Sequence, residues 1–185
     1  MSKQKTEGYI FLAAFIACIP IANWMIGNVG TVCVPNGPCL IPVAPGLKAP
    51  SGVLMIGLAL VMRDLVQRRL GRAWVLGAIV VGAALSGFVA PAALVTASVV
   101  AFLLSELADF AVYTPLQERR LITAVVLSST VGLVIDSVVF LQLAFGNLDY
   151  VGGQIVGKFW MVFLSIPVIW WLRERDKKIG MEAAA

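Results

Sequence analysis

Two carboxylic acids and two hydroxyl groups occur close together near the end of an uncharged apolar stretch, in the sequence SELADFAVY. Glu106 and Asp109 are three residues apart, and Asp109 is four residues from both Ser105 and Tyr113. On a helix this spacing puts Ser105, Asp109 and Tyr113 on one stripe, with Glu106 beside it. Two acids one turn apart cannot both ionise cheaply without nearby cations or strong donors. We therefore expect both acids to face an internal cavity, where one of them binds a substrate or a proton.

Three further polar side chains interrupt the last two apolar segments. Asp136 shares a predicted helical face with Ser129 and Gly132, so this acid lies on a stripe of small residues that favours close helix packing. Gln154 and Lys158 are four residues apart and therefore lie on one face of the next predicted helix. Lys158 either extends towards the membrane surface or neutralises an acid, and an ion pair with Asp136 is one form of the second use.

Arg63 and Asp64 are adjacent charges just before the basic sequence QRRLGR. An ionisable group within a membrane span is costly and usually faces a partner or a cavity. Because these two lie near the end of their segment, their side chains could also anchor at the membrane surface. Ion pairing with Glu106 and Asp109 is the other use, and the sequence leaves both open. Both residues are candidates for the substrate site.

The side-chain inventory favours ligand binding over catalysis. The chain has no histidine, which excludes Ser–His and Cys–His nucleophile pairs and histidine metal sites. We therefore expect neither an enzyme nor a bound cofactor. A carboxylate can accept two parallel hydrogen bonds from the N–H and amino group of one ring edge. Asn23 or Gln154 could bind an adjacent carbonyl, and the ring face could stack on one of three aromatic residues, Trp24, Phe110 or Trp160.

The apolar composition points to a bilayer as the solvent of this chain. Of 185 residues, 60% are hydrophobic and 13% are charged, and the mean hydropathy is +0.94. A soluble domain of this size cannot bury so much apolar surface. A spanning helix needs about 20 mostly apolar residues. We predict one all-α integral membrane domain with six transmembrane helices, the first retained rather than cleaved, over residues 9–26, 51–66, 73–90, 92–113, 121–146 and 151–172.

The basic residues predict the orientation of these helices. Arginine and lysine cluster before the first segment, after the second, after the fourth and after the sixth, whereas the opposite loops carry only Lys48 and Asp149. Positive charge is concentrated in cytoplasmic loops. We therefore expect a cell (inner) membrane protein with both termini in the cytoplasm. The basic residues of the cytoplasmic loops then account for the net charge of +4, which gives no reason to expect a nucleic acid partner.

The first outer loop, between the first two segments, contains five of the nine prolines. A long, partly apolar loop can act as a lid or a partly re-entrant cover, and a merely ordered loop is the equal alternative. Cys33 and Cys39 bracket the turn sequence VPNGP, so they could pair in an oxidising exterior. Cys18 lies in the first segment and is expected to be an inert buried thiol.

Five segments together resemble the queuosine precursor transporter family, also called vitamin-uptake transporters, in its compact actinobacterial and phage-like branch. They are NWMIGNVG, APSGVLMIGLALVMRDLVQRRLG, SELADFAVYTPLQ, VGLVIDSVVFLQLAFG and GGQIVGKFW, and they cover every predicted helix except the third. The resemblance implies six helices and import of the queuosine precursors 7-cyano-7-deazaguanine and 7-aminomethyl-7-deazaguanine, which are planar purine-like bases. It also implies a fold similar to the substrate-binding components of energy-coupling-factor transporters, without the ATP-driven module of those systems.

The sequence leaves other functions open. The alternative is a substrate-binding component that needs a separate ATP-driven partner and takes a related heterocycle or vitamin. An intramembrane enzyme would need a nucleophile and a base on facing helices, and no such pair is evident. A structural protein would not need several ionisable groups in its spans. A homo-oligomer is also open, and membrane lipid is the predicted surrounding partner.

Overall fold

The fold is a bundle of six α-helices, seen in a computed structural model that describes residues 3–35, 37–90 and 92–181. Each predicted apolar segment lies on one of these helices, although α1 begins earlier and α6 continues further than the apolar runs. The polar first turns of α1 and last turns of α6 contact each other through Glu7 and Arg175. The helices are α1 (Lys3–Asn28), α2 (Val53–Leu70), α3 (Arg72–Val89), α4 (Val95–Leu116), α5 (Leu121–Phe145) and α6 (Val151–Ile179), with a short 3-10 helix (Ala92–Leu94) before α4.

Five of the helices in the described part of the chain are long and apolar enough to cross a membrane: α1, α3, α4, α5 and α6. The exception is α2, which has 18 residues and carries four charges, at Arg63, Asp64, Arg68 and Arg69. All four side chains are buried, so the protein and not lipid surrounds them. Two apolar clusters pack α2 on both sides, one with α4, α5 and α6 and the other with α1, α3 and α4.

A small antiparallel sheet lies within the predicted outer loop, and the remainder of the described fold is helical as predicted. Its strands are β1 (Val32–Cys33), β2 (Cys39–Ala44) and β3 (Leu47–Pro50), in the order β1-β2-β3. The sequence did not indicate strands because prolines, which lack a backbone N–H, are rare in paired strands. Gly46 has a positive φ of 74° and makes the turn between β2 and β3.

The two cysteines of this segment face each other across the sheet. Cys33 and Cys39 are register partners in β1 and β2, with their Cα atoms 3.8 Å apart, and they form a disulfide. The expected proximity is therefore confirmed. Cys18 is a buried free cysteine in α1, as expected.

The sheet is fastened to the helices at one end of the bundle, which we call the sheet end. The Trp160 indole Nε1 donates to the Val43 carbonyl at 2.8 Å, and the Ser51 hydroxyl donates to the Met25 carbonyl at 2.7 Å. A Cβ added at Gly153 of α6 would fall on the carbonyl oxygen of Lys48 in β3, so this helix and strand touch through backbone atoms. The segment is thus a fixed cover over the C-terminal end of α1 and the N-terminal end of α6.

The opposite end of the bundle, the arginine end, is held by ion pairs. Asp176 accepts two hydrogen bonds from Arg69, at 2.8 Å and 2.9 Å, and lies 3.3 Å from Arg68. Glu7 accepts from Arg69 at 3.0 Å and from Arg175 at 2.7 Å. These contacts join the first turns of α1, the last turn of α2 and the last turns of α6. Both ends of the described chain therefore lie at the same end of the bundle.

The closest helix contact that the site depends on is made by Gly57 of α2, where an added Cβ would overlap the Lys158 carbonyl of α6. We expect Gly57→Ala to lower the free energy of unfolding by about 1–3 kcal/mol, because overpacking must separate the two helices. Gly77→Ala on α3 is the control, since a Cβ there meets nothing within 4 Å. Thermal unfolding in detergent measures both; equal midpoints for the two variants would contradict the expected close contact.

Candidate functional site

A partly enclosed cavity lies beneath the sheet, at the sheet end of the bundle. It contains about 570 Å³ of space free of protein atoms, part of it open at its mouth. All six helices contribute to its wall, and Pro50 and Gly52 form the part next to the sheet. Its polar lining comprises Asn23, Ser86, Ser98, Asp136, Gln154 and Lys158. Four of the residues predicted for a substrate site therefore meet here, from α1, α5 and α6.

An ion pair between α5 and α6 provides the charge of this cavity. The Lys158 ammonium donates to Asp136 at 2.5 Å, to Gln154 at 2.7 Å and to the Ser137 hydroxyl at 2.8 Å. The ion pair proposed from the sequence is thus confirmed. The Asp136 side chain is 13% exposed and that of Lys158 is 1% exposed. Three acceptors surround the three N–H donors of the ammonium, so Asp136 is the member of the pair with capacity left for a ligand.

Apolar and amide groups complete the cavity wall. Phe102 and Phe140 both line it, and neither was predicted from the sequence. Helical spacing could have indicated both rings, because each lies on the same helical face as a predicted site residue. Phe102 is four residues before Glu106, and Phe140 is four residues after Asp136. The Asn23 amide donates to the Ile19 carbonyl at 3.0 Å, which holds that amide at the wall.

The three aromatic residues predicted to stack on a ligand lie outside this cavity. Trp24 is 60% exposed and Trp160 is 46% exposed, while Phe110 is half-buried on α4. The Trp160 indole is bonded to the sheet. Spacing alone did not identify the cavity side of α1, α4 and α6, so the stacking role of these residues remains a prediction without a contact to support it.

A second polar group lies deeper in the bundle, around the guanidinium of Arg63. We call Arg63, Asp64, Glu106 and Asp109 the Arg63 cluster. Arg63 lies 3.1 Å from Asp64, 3.2 Å from Glu106 and 2.5 Å from Asp109. Of these contacts, the one with Glu106 is also an aligned hydrogen bond, from Nε. Of the two uses proposed from the sequence for Arg63 and Asp64, the structure shows ion pairing between α2 and α4 and not anchoring at the membrane surface.

The Arg63 cluster contains more negative than positive groups. Its four residues are at most 2% exposed. One guanidinium faces three carboxyl groups, which gives a net charge of −2 if all are ionised. The Ser128 hydroxyl donates to Asp64 at 3.1 Å, and the Tyr113 ring lies 5.7 Å from the guanidinium carbon.

The expected orientation of the two acids of α4 is corrected by this geometry. Glu106 and Asp109 are not among the residues that line the cavity; their carboxylates point to Arg63. Ser105 and Tyr113 are also buried away from the cavity, and the Ser105 hydroxyl donates to the Phe102 carbonyl at 3.0 Å. The cavity ends at Phe102, one helical turn before Glu106. A direct contact of these acids with the substrate remains a prediction.

Comparison with known proteins gives one finding. Residues 86–172 match the model of a family described as "Putative vitamin uptake transporter". The match spans somewhat less than half of the 185 residues, and it includes α4, α5 and the apolar part of α6. No curated protein and no solved structure matches the chain.

The match and the helices agree on the general nature of the protein. The matched region contains Phe102, Asp136 and Lys158 of the cavity and Glu106 and Asp109 of the Arg63 cluster. The described part of the chain contains five helices that are long and apolar enough to cross a membrane. Together these observations support a multi-pass membrane protein, and they indicate small-molecule uptake rather than an enzyme.

Proposed function

We propose that this protein imports small planar bases of the 7-deazaguanine class, such as 7-cyano-7-deazaguanine and its 7-aminomethyl relative. The observation that carries the proposal is the Asp136–Lys158 pair, which faces a cavity that two phenylalanine rings and two amide side chains also line. A guanine-like ring offers an N–H and an amino group on one edge. The Asp136 carboxylate can accept both in parallel.

The remaining cavity groups suit the rest of such a ring. The Asn23 and Gln154 amides lie at the wall beside the ion pair, where a ring carbonyl and nitrogen need partners. Phe102 and Phe140 provide apolar surface for the ring faces. An adenine-like analogue lacks the paired donor edge and is expected to bind poorly.

The charge of the cavity favours an uncharged ligand. Asp136 and Lys158 neutralise each other, and they supply the charged groups among the described residues that line the cavity. An anion would meet a lysine whose donors already have acceptors, and the desolvation of that anion would go uncompensated. Of the two precursors, the cyano compound therefore fits this cavity better than the aminomethyl compound, which carries an additional cation.

The proposal includes six crossings of the cell membrane with both termini in the cytoplasm. Glu7 and Arg175, near opposite ends of the chain, are 2.7 Å apart, and an even number of crossings places both ends on one side. At about 1.5 Å per residue, α2 measures roughly 27 Å, close to the roughly 30 Å apolar thickness of a bilayer. We infer that α2 is the sixth span. The arginine end then faces the cytoplasm, and the disulfide of the sheet faces the oxidising exterior.

In this orientation the structure is that of a carrier whose cytoplasmic side is closed. The cavity lies towards the exterior, under the sheet. Between it and the cytoplasm lie the Arg63 cluster and then the Glu7–Arg69–Asp176 ion pairs. Import requires the helices to separate at both layers after the base has bound.

The test is uptake of labelled 7-cyano-7-deazaguanine by cells that lack their own synthesis pathway, followed by uptake into liposomes that contain the purified protein alone. We expect accumulation in cells, exchange in liposomes without any ATPase, and competition by guanine but not by adenine. Absence of binding and exchange for both precursors would refute the substrate class. Uptake that appears only after an ATPase pair is added would instead identify a substrate-binding component.

A further inference from the structure

We propose that the Arg63 cluster is a proton-binding site and that Glu106 carries a proton inward with each imported molecule. This inference rests on the proposed transport function and adds the source of energy to it. The cluster is separate from the cavity that holds the base. It carries excess negative charge, contains unpaired polar atoms and lies between the cavity and the arginine end.

The first observation is uncompensated charge. Three carboxyl groups share one guanidinium at sites that are at most 2% exposed. Buried carboxylates without a partner are costly enough that such a group takes up a proton instead. No set of residues in the described chain is arranged to hold a metal ion. A proton on one of the three acids would lower the excess negative charge of this cluster.

The second observation is a line of unpaired polar atoms on α4. Asp109 Oδ2, the Tyr113 hydroxyl and Gln117 Oε1 are all buried and have no hydrogen-bond partner among the described residues. With Phe102 and Glu106 they recur at intervals of three or four residues and thus occupy one face of the helix. This face leads from the cavity to the arginine end. A proton path needs such atoms, which can each accept or pass on a hydrogen bond.

The path ends in a basic depression at the arginine end. Gln117 lines it together with Arg68, Arg119 and Asp176. In the proposed orientation this depression opens to the cytoplasm. A proton that leaves Asp109 or Tyr113 therefore has a route to the cytoplasmic solvent when the helices separate.

Glu106 is the acid of the cluster best placed to receive the proton. Phe102, one helical turn before it, lines the cavity, so Glu106 lies next to the compartment that faces the exterior. Its contact with Arg63 is a single hydrogen bond at 3.2 Å, whereas Asp64 has both Arg63 and the Ser128 hydroxyl. The other titratable or charged groups that act on Glu106 come from α1, α2, α4 and α5, and they are Cys18, Arg63, Asp64, Asp109 and Asp136.

The proposed cycle moves one proton and forms no covalent bond. When the cavity faces the exterior, Glu106 takes up a proton from the cavity side, which lowers the excess negative charge of the buried cluster. When the helices part towards the cytoplasm, water enters the cluster and solvates the ionised form. The proton then leaves along the α4 face while the base leaves the cavity. The carrier returns without the base or the proton, with the ionised Glu106 paired with Arg63, and then takes up another proton from the exterior.

The first experiment uses liposomes that contain the purified full-length protein, with labelled 7-cyano-7-deazaguanine outside and a pH-sensitive dye inside. An inside-alkaline gradient should drive accumulation, up to about tenfold per pH unit for one proton per base. Glu106→Gln keeps the shape and mimics the protonated acid, so it should retain exchange but lose the response to the gradient. Asp149→Asn, an exposed acid near the sheet, is the matched control and should respond like the unchanged protein.

Three results would overturn the inference: accumulation that ignores the pH gradient, accumulation driven by a sodium gradient, or a Glu106→Gln variant that still responds to pH. Each of these leaves the proposed substrate intact, because exchange is still seen. A protein that exchanges no base refutes the proposed function instead.

A second measurement tests the proton site without any substrate. If the buried cluster holds a proton, the thermal midpoint of the unchanged protein should fall as the pH rises above about 4.3, the ordinary pKa of glutamate, because the unfolded chain then releases a proton that the folded cluster keeps. Glu106→Gln should flatten this dependence, and Asp149→Asn should not. Equal pH profiles for the unchanged protein and Glu106→Gln would exclude Glu106 as the proton carrier, whatever the substrate.

Discussion

Asp136→Asn is expected to lower the affinity and uptake of a 7-deazaguanine base on the order of a hundredfold, or about 3 kcal/mol. The physical reason is the loss of a charged acceptor for two ring donors, together with an amide N–H that now opposes one of them. Binding can be measured by isothermal titration of the purified protein with 7-cyano-7-deazaguanine. Asp149→Asn is the control, because this acid is exposed and does not line the cavity.

A double variant separates ligand binding from structural charge pairing. Asp136→Asn alone leaves the Lys158 ammonium buried without its counter-ion, and breaking such a pair costs about 3–5 kcal/mol of stability. Asp136→Asn combined with Lys158→Met removes both charges and should restore much of that stability. If Asp136 accepts the ligand, the double variant folds but still binds weakly. Recovery of binding together with stability would reduce Asp136 to a structural partner of Lys158.

Arg63→Gln is expected to cause a large loss of stability, about 3–5 kcal/mol in the free energy of unfolding, because it leaves three buried carboxyl groups without a cation. Arg63→Lys should be intermediate, because an ammonium is a compact charge and cannot contact three acids as a guanidinium does. Thermal unfolding in detergent measures the series, with Arg72→Gln as the control at an exposed position beside the same end of the bundle.

Because this cluster carries excess negative charge, removal of one acid should restore part of the stability that is lost in Arg63→Gln. Arg63→Gln with Glu106→Gln removes one of the three acids along with the cation, so the double variant should be more stable than Arg63→Gln alone. If the effects of the two substitutions on the free energy of unfolding are additive, Arg63 and Glu106 do not interact, and the acids of the cluster do not repel each other. If Arg63→Gln unfolds no more easily than Arg72→Gln, the ion pairs of Arg63 contribute little and the cluster is not a major stabilising element.

In the proposed transport cycle the two polar groups of the bundle have different tasks. The cavity pair Asp136–Lys158 is neutral, partly exposed and suited to a ligand. The Arg63 cluster is buried, carries excess acid and lies between the cavity and the arginine end. A carrier needs both kinds of site, since one selects the substrate and the other has to open and close with a defined charge.

Several features followed from the sequence because they are local. Apolar runs of sufficient length predicted the helices, since backbone groups in lipid must bond within the segment. The spacing of Gln154 and Lys158 placed them on one face, and the need of a buried ammonium for an acid indicated Asp136 as a partner. The pairing of Arg63 with acids of α4 was one of two uses that the same rule allowed. For both sets of ion pairs, the need of a buried charge for a counter-charge was evident before the contact was known.

Other features were decided only by the tertiary structure. Periodicity gives the face of a helix but not the element that the face meets, so Glu106 and Asp109 were expected at a cavity and lie instead against Arg63, more than 40 residues earlier in the chain. Phe102 and Phe140 became cavity residues because all six helices converge there. The sheet between α1 and α2 depends on pairing among three short strands and on docking to α6, and neither is encoded in the pattern of one segment. Sequence therefore determined which charges needed partners, and packing between distant helices decided which partner each received and where the ligand space remained.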